Sequence, residues 1–235
     1  MRAIVRRKLE MATRVLEFSR AHPSTDASQA ALVAKLEERI ARADALIIQQ
    51  RAGLNAVHGA TARRMELRRG LQFQLLRYLI RVGEAAAQVR PELAVQFELP
   101  ALNTSRKAFL SSVKAMLAMA ETEREFLLSV GLSELALTDL KKEVEAFEEA
   151  IEAGHIGRRD HVGASADLNV VTGEVLNLVG MLDGLHRYRF RNDAELMAEW
   201  DSVSHVRPFH SKGEEPVAEG GDVPPVSGGE VAPAA

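Results

Sequence analysis

The sequence predicts an all-α fold: an elongated, antiparallel, coiled-coil-like bundle of two long helices with shorter ones packed around them. Three observations carry that prediction. Apolar positions recur alternately three and four residues apart over very long stretches, the spacing that keeps one helix face toward a partner. No proline occurs between Ser24 and Arg90. Ala, Leu, Glu and Arg dominate while aromatics make up only 5 %, and the dominant types lose little side-chain freedom in a helix.

The first helix is expected from about Ala3 to Ala21, with Val5, Leu9, Ala12 and Leu16 on one face. Pro23 stops it, and Ser24-Thr25-Asp26 offers an N-cap for the next. That second helix carries the strongest pattern. From Val33, the positions Leu36, Ile40, Ala43, Ile47, Gln50, Leu54, Val57, Thr61, Arg64, Arg68, Leu71, Leu75, Tyr78, Val82 and Ala85 follow one seam without a slip of phase. Gly53, Gly59, Gly70 and Gly83 each weaken it by about 1 kcal/mol relative to alanine without breaking it.

Pro91 and Pro100 bracket a connector with one short helix through Leu93 and Phe97. A third helix follows from about Thr104 to Val130; Gly131 suits its C′ position and Ser133 the next cap. The fourth helix is the second long one. It carries Leu140, Val144, Phe147 and Ile151, then Leu168, Val171, Val175, Leu178, Leu182 and Leu185. The glycine-rich polar stretch Gly154 to Asp167 lies between, and we expect the helix to continue through it. The competing arrangement, with both long helices broken near Gly59 and Gly157, would give a compact up-and-down bundle. A last short helix, Asp193 to Ser204, places Leu196, Trp200 and Val203 on one face.

Laid antiparallel, the two long helices match seams when paired residue numbers sum to about 220. The basic run Arg63, Arg64, Arg68, Arg69 then lies beside Glu145, Glu148, Glu149 and Glu152. In this register the third helix runs parallel to the second, so the connector must return about half of the second helix's length.

Two parts are expected: a helical domain over 1–205 and a disordered tail over 206–235. The tail holds five of the eight prolines and carries Glu214, Glu215, Glu219, Asp222 and Glu230 against Arg207 and Lys212. Such a segment buries too little apolar area to offset its ordering entropy. The net charge of −3 therefore sits in the tail and the body is neutral, which disfavours broad nucleic-acid binding. No cysteine is present, so disulfides, thiolate metal sites and cysteine nucleophiles are excluded. That fits a cytoplasmic protein. No signal peptide or membrane span is expected, because charges interrupt every apolar run.

Candidate sites are few. Glu152-Ala153-Gly154-His155 has the Glu-x-x-His spacing of di-iron bundles, which need a second copy on another helix. The nearest, Asp183-Gly184-Leu185-His186, lies on the same helix, so a surface pair is the favoured reading and no metal site is expected. A polar interruption at mid-length brings Arg64 and Arg68 opposite His155, Arg158, Asp160 and His161. Polar layers of this kind fix register in long helical pairs. They also grip phosphate or carboxylate, since guanidinium binds both bidentately. The alternation His186-Arg187-Tyr188-Arg189-Phe190-Arg191 suits base stacking, but cations at a helix C-terminus also complement its dipole, and capping is favoured. The basic first helix suits a membrane surface or a bundle core, the latter favoured.

No catalytic set, phosphate loop or cofactor motif is legible. The expected function is therefore a non-enzymatic interaction or scaffold module for a protein partner or for itself. The alternative is a bundle that binds a small anionic ligand through its Arg/His layer.

Overall fold

The computed structural model describes residues 2–101 and 103–206. The tail expected to be disordered lies outside the described residues, Val206 apart. Among the described residues there is no strand. Helix α1 (Ala3–Ala21) is followed by α2 (Ala27–Gly70), which passes through a π-helical turn at Leu71–Leu75 into α3 (Leu76–Ala87). Then come α4 (Arg106–Thr122), α5 (Arg124–Ser129), α6 (Glu134–Arg189) and α7 (Ala194–Ser204). Both long helices run unbroken past Gly59 and Gly157. The expected third helix is divided at Glu123, where α4 gives way to α5.

The caps explain the corners. Asp26 accepts from the Ser28 amide at 2.9 Å to start α2, and Asp193 accepts from the Leu196 amide at 3.0 Å to start α7. After α5 the chain reverses at Gly131, whose φ of 115° is left-handed. The Leu132 amide reaches back to the Leu127 carbonyl at 2.8 Å and the Gly131 amide to that of Leu128 at 3.3 Å, the C-terminal pattern that favours glycine. Ser133 occupies the N-cap position of α6 without a side-chain bond; its amide donates instead to the Tyr78 hydroxyl at 2.9 Å.

Helices α2–α3 and α6 form an antiparallel hairpin along the whole molecule. Gln29 meets His186, Arg39 meets Glu174, Gln50 meets Ser165, and the Tyr78 hydroxyl meets Gly131. These pairs sum to about 213 rather than about 220, a displacement of about two helical turns. The cause lies at mid-length, where Gly53 faces Gly157. A Cβ on Gly53 would stand 2.7 Å from the His161 amide nitrogen, and one on Gly157 would stand 3.0 Å from the Gly53 carbonyl. Only glycine lets the backbones approach so closely, so this contact sets the register. The ion pairs of the two charge runs lead elsewhere: Arg63 to Glu66, Glu148 to Lys114 and Glu152 to Arg159.

The seam of the second helix also departs from expectation beyond Gly70. The π turn inserts one extra residue, which rotates the face that follows. Leu76, Leu79 and Ala86 are buried where Leu75, Tyr78 and Ala85 were expected, and Tyr78 stands exposed.

Two cores sit at opposite ends of the hairpin. The distal core is built by α3, α4, α5 and the first part of α6 around Leu71, Leu76, Phe109, Leu127 and Phe147. The proximal core is built by α1, α7, the first part of α2 and the last part of α6 around Val15, Phe18, Leu36, Leu46, Leu182 and Trp200. The connector returns from Ala87 to the level of Arg64, about 35 Å back along the helix. Leu93 and Phe97 are buried on the way, Phe97 against Gly83, and Gln72 donates to the Pro100 carbonyl at 3.4 Å. By length and apolarity alone α6 passes the test for a membrane-crossing helix; a third of its apolar window is buried in the fold. Among the described residues the hairpin between the cores is two helices thick, and this waist holds the polar interruption.

Candidate functional site

At the waist, Gln50, Leu54, Val57, Thr61, Arg64 and Arg68 share one face of α2 through spacings of four and three. On α6 the same side of the hairpin carries Phe147, Ile151, Gly154, Arg158, His161 and Ser165. Two further helices begin on this face and run away from each other. Helix α1 starts beside Gln50 and His161, where Arg2 and Val5 line a hollow with Ser165, and it ends with Ser19 against His186. Helix α4 starts beside Arg64 and ascends the distal end, with ion pairs from Lys114 to Glu148 and from Lys141 to Glu121. The face between the two starts is about 20 Å long. Among the described residues it is formed by Leu54, Val57 and their neighbours on α6.

At its distal edge lies a groove of about 360 Å³ lined by Thr61, Arg64, Met65, Arg68, Arg106 and Phe147. Three guanidinium groups converge there on an apolar floor, and no carboxylate is among the described lining residues. Arg64 is half-buried and donates to the Thr61 hydroxyl at 2.9 Å. Burial, and then the nearby Arg106 charge, hold its pKa below the ordinary arginine value. Arg68 lies 4.6 Å over the Phe109 ring, which fixes its plane at the groove edge. Arg106 is the first residue of α4, whose first turn contains no acidic side chain, so the partial positive charge of that helix end adds to the field.

The six residues of the expected polar layer are thus divided. Arg64 and Arg68 converge with Arg106, which the sequence could not associate with them, because α4 reaches the waist only through the returning connector. His161 turns inward: its Nδ1 lies 3.0 Å from the Gln50 carbonyl, while Gln50 Nε2 donates to Ser165 Oγ at 2.7 Å. These bonds clamp the hairpin just below the Gly53–Gly157 contact and leave His161 with a structural task. His155, Arg158 and Asp160 are exposed on α6. His155 and Arg158 line a separate shallow depression with Glu152, Arg159, Val162 and Gly163. The Glu-x-x-His pair is on that outer surface, and no group of three His, Asp or Glu among the described residues could hold a metal ion.

The Arg/aromatic string at the end of α6 is engaged in packing. Arg189 donates to the carbonyls of His22 and Pro23 at 2.8 Å each, closing the end of α1. Arg187 pairs with Asp183 and Asp201, and Arg191 lies 4.5 Å over the Tyr188 ring. His186 and Phe190 are buried with their rings stacked at 5.5 Å. Cations here complement carbonyls, though those of the neighbouring helix as much as of their own.

Comparison with protein-family models, with curated proteins and with solved structures gives no match.

Proposed function

We propose that the chain is a non-enzymatic helical interaction module whose recognition element is the arginine-lined face of the waist, and that its partner presents an anionic group there. The observation that supports this reading is the convergence of Arg64, Arg68 and Arg106 on an apolar groove whose described lining holds no carboxylate. Guanidinium groups brought close together repel one another, and a phosphate or carboxylate bound among them relieves that repulsion. The apolar floor of Met65 and Phe147 favours an anion carried on an apolar body.

Inorganic pyrophosphate is a suitable probe. At low salt and near saturation we expect it to raise the melting temperature by about 5 °C, the size that mass action gives for a ligand at roughly a hundred times its Kd. Arg64→Ala and Arg106→Ala should each remove most of that rise. Equal stabilisation of wild type and both variants, or none at all, would retire the reading.

A second reading, self-association, is favoured by the outer face of α6. Gly163, Ala166, Val170, Gly173, Asn177, Gly180 and Gly184 follow one another at spacings of three and four, all exposed. No atom lies within 4 Å of a Cβ added at any of the four glycines. Light scattering on the purified chain separates a monomer from a dimer.

A further inference from the structure

Helices α1 and α4 lie in the same groove of the hairpin. Arg2 and Val5 of α1 line a hollow with Gln50, His161 and Ser165, and Phe109 of α4 meets Phe147 edge to face at 5.6 Å. Each is therefore the third helix of a three-helix layer, α1 on the proximal half and α4 on the distal half. Between their starts the groove runs about 20 Å, from the level of Gln50 to that of Arg64. Among the described residues no third helix occupies that length.

The floor of this gap is apolar. Leu54 is 40 % exposed near its centre, and Val57 and Ile151 are half-buried beside it. Met65 and Val162 stand at its edges, 64 % and 57 % exposed. Gly154 leaves room for the Arg64 guanidinium at the distal end, where a Cβ on the glycine would stand 3.3 Å from Arg64 Nη1.

The charges around the gap are of one sign. Arg64, Arg68 and Arg106 stand at the distal end, Arg2 at the proximal end and Arg158 along the α6 side. The carboxylates of the same stretches are engaged or turned away. Glu66 pairs with Arg63, Glu148 with Lys114 and Glu152 with Arg159, while Glu149 and Asp160 project from the other side of α6. Both ends of the gap are also helix starts, and neither α1 nor α4 has an acidic residue in its first turn. Two positive helix ends thus face each other across about 20 Å.

We propose that this gap is the docking site for one amphipathic α-helix of a protein partner, about 14 residues long, with carboxylates at both of its ends. The helix carries the anion of the function proposed above, on which the inference rests. Its apolar residues, at spacings of three and four, cover Leu54, Val57 and Ile151. Its end carboxylates meet Arg2 on one side and Arg64 and Arg106 on the other. Once docked, it joins α1 and α4 into one continuous third layer. A groove between two helices is concave, which suits a cylinder better than a lipid surface.

The probe is a synthetic 14-residue peptide: alanine-based, with leucine at spacings of three and four and two glutamates at each end. Fluorescence anisotropy with the full chain at low salt should show it bound with a micromolar Kd. Glutamine in place of the four glutamates should weaken binding about tenfold, and a central proline about a hundredfold. Arg2→Ala and Arg106→Ala should each weaken it about fivefold, and Leu54→Gln about tenfold. Stabilisation by pyrophosphate should be unchanged in Arg2→Ala and Leu54→Gln, which also shows that both variants are folded.

Pyrophosphate stabilisation that depends on Arg64, with a peptide that fails to bind or binds as well with the central proline, overturns the helix and leaves the anion reading standing. If neither probe binds, both fall. Peptide affinity insensitive to Leu54→Gln or to Arg2→Ala also overturns the helix, because the gap is then not filled from end to end. A dimer of the chain that Leu54→Gln converts to monomer gives the groove to a second copy instead. Retention on phosphatidylserine vesicles, lost in the same variant and without peptide binding, gives it to a lipid surface. Either result overturns the proposal.

Discussion

At the distal end of the hairpin, Leu71, Leu76, Phe109, Leu127 and Phe147 close an apolar core, with Phe109 and Phe147 edge to face at 5.6 Å. At the proximal end the aromatic cluster of Phe18, Phe190 and Trp200 surrounds a buried histidine. His186 Nε2 lies 3.1 Å from the Ser19 hydroxyl, and the Gln29 amide approaches the ring at 3.4 Å. The helices at the distal end are consecutive in the chain, so short loops and the anchored connector already restrict how they can meet. The proximal end joins α1 and α7, which are far apart in sequence, at the last turns of α6. Apolar surfaces alone would let those helices slide. The Ser19–His186–Gln29 contacts and the bond from Trp200 Nε1 to Asp183 at 2.7 Å favour one alignment.

The largest effect expected from this contrast is at Trp200, which is fully buried in the proximal core. Trp200→Ala should cost about 3–5 kcal/mol through lost burial and the cavity left behind. With a waist only two helices thick between the cores, the damage should stay local. Hydrogen exchange should show α1, α7 and the end of α6 losing protection while α4 and α5 keep theirs. Equal loss at both ends would mean that the hairpin unfolds as one unit and that the two cores are not separate stability regions.

That division was only partly legible in the sequence. The long helices were, because unbroken three-and-four spacing and the absence of proline survive any tertiary context. The waist was legible as well, since Gln50, Thr61, Arg64 and Arg68 interrupt an otherwise apolar seam. Three features were hidden for physical reasons. The π turn at Leu71–Leu75 leaves no compositional mark, and an apolar residue stands on either side of the slip, so Leu75 and Leu76 serve the pattern equally well. Arg106 joins Arg64 by way of a connector whose path no local pattern encodes. In the sequence His186 stands in a basic string, and only the arrival of α1 and α7 on the last turns of α6 buries it. Which glycine of the polar stretch faces inward depends on register: Gly157 does, while Gly163 is open.

The second effect concerns acid. Burial foremost, then the charges of Arg189 and His22, lower the pKa of His186 from 6.5 to about 4, with Asp183 opposing. The folded state thus favours the neutral ring. Its contribution is fully present above pH 6.5 and is lost as pH falls through about 4. Phe at this position keeps the stack on Phe190, and Ser19 retains its bond to the Val15 carbonyl at 2.8 Å. Urea midpoints measured between pH 7 and pH 4 should therefore fall less steeply in His186→Phe than in wild type. Parallel curves for the two proteins would assign the acid sensitivity to other groups and remove the histidine as a difference between the ends.

The smallest effect has opposite signs on the two faces of α6. A Cβ at Gly157 would stand 2.9 Å from that of Ala56 and 3.1 Å from the Val57 amide nitrogen, the latter being backbone that cannot turn aside. Gly157→Ala gains about 1 kcal/mol of helix propensity but forces the waist apart, at about 1–3 kcal/mol for overpacking, so a net loss is expected. At Gly173 no atom lies within 4 Å of an added Cβ, and Gly173→Ala should stabilise by about 0.5–1 kcal/mol. Thermal unfolding of the two variants beside wild type reads both signs. Stabilisation by both would mean that the waist is slack and that the Gly53–Gly157 contact does not set the register. Destabilisation by Gly173→Ala has a different meaning: the outer face of α6 is then covered in solution, as a second copy packed on the glycine stripe would cover it.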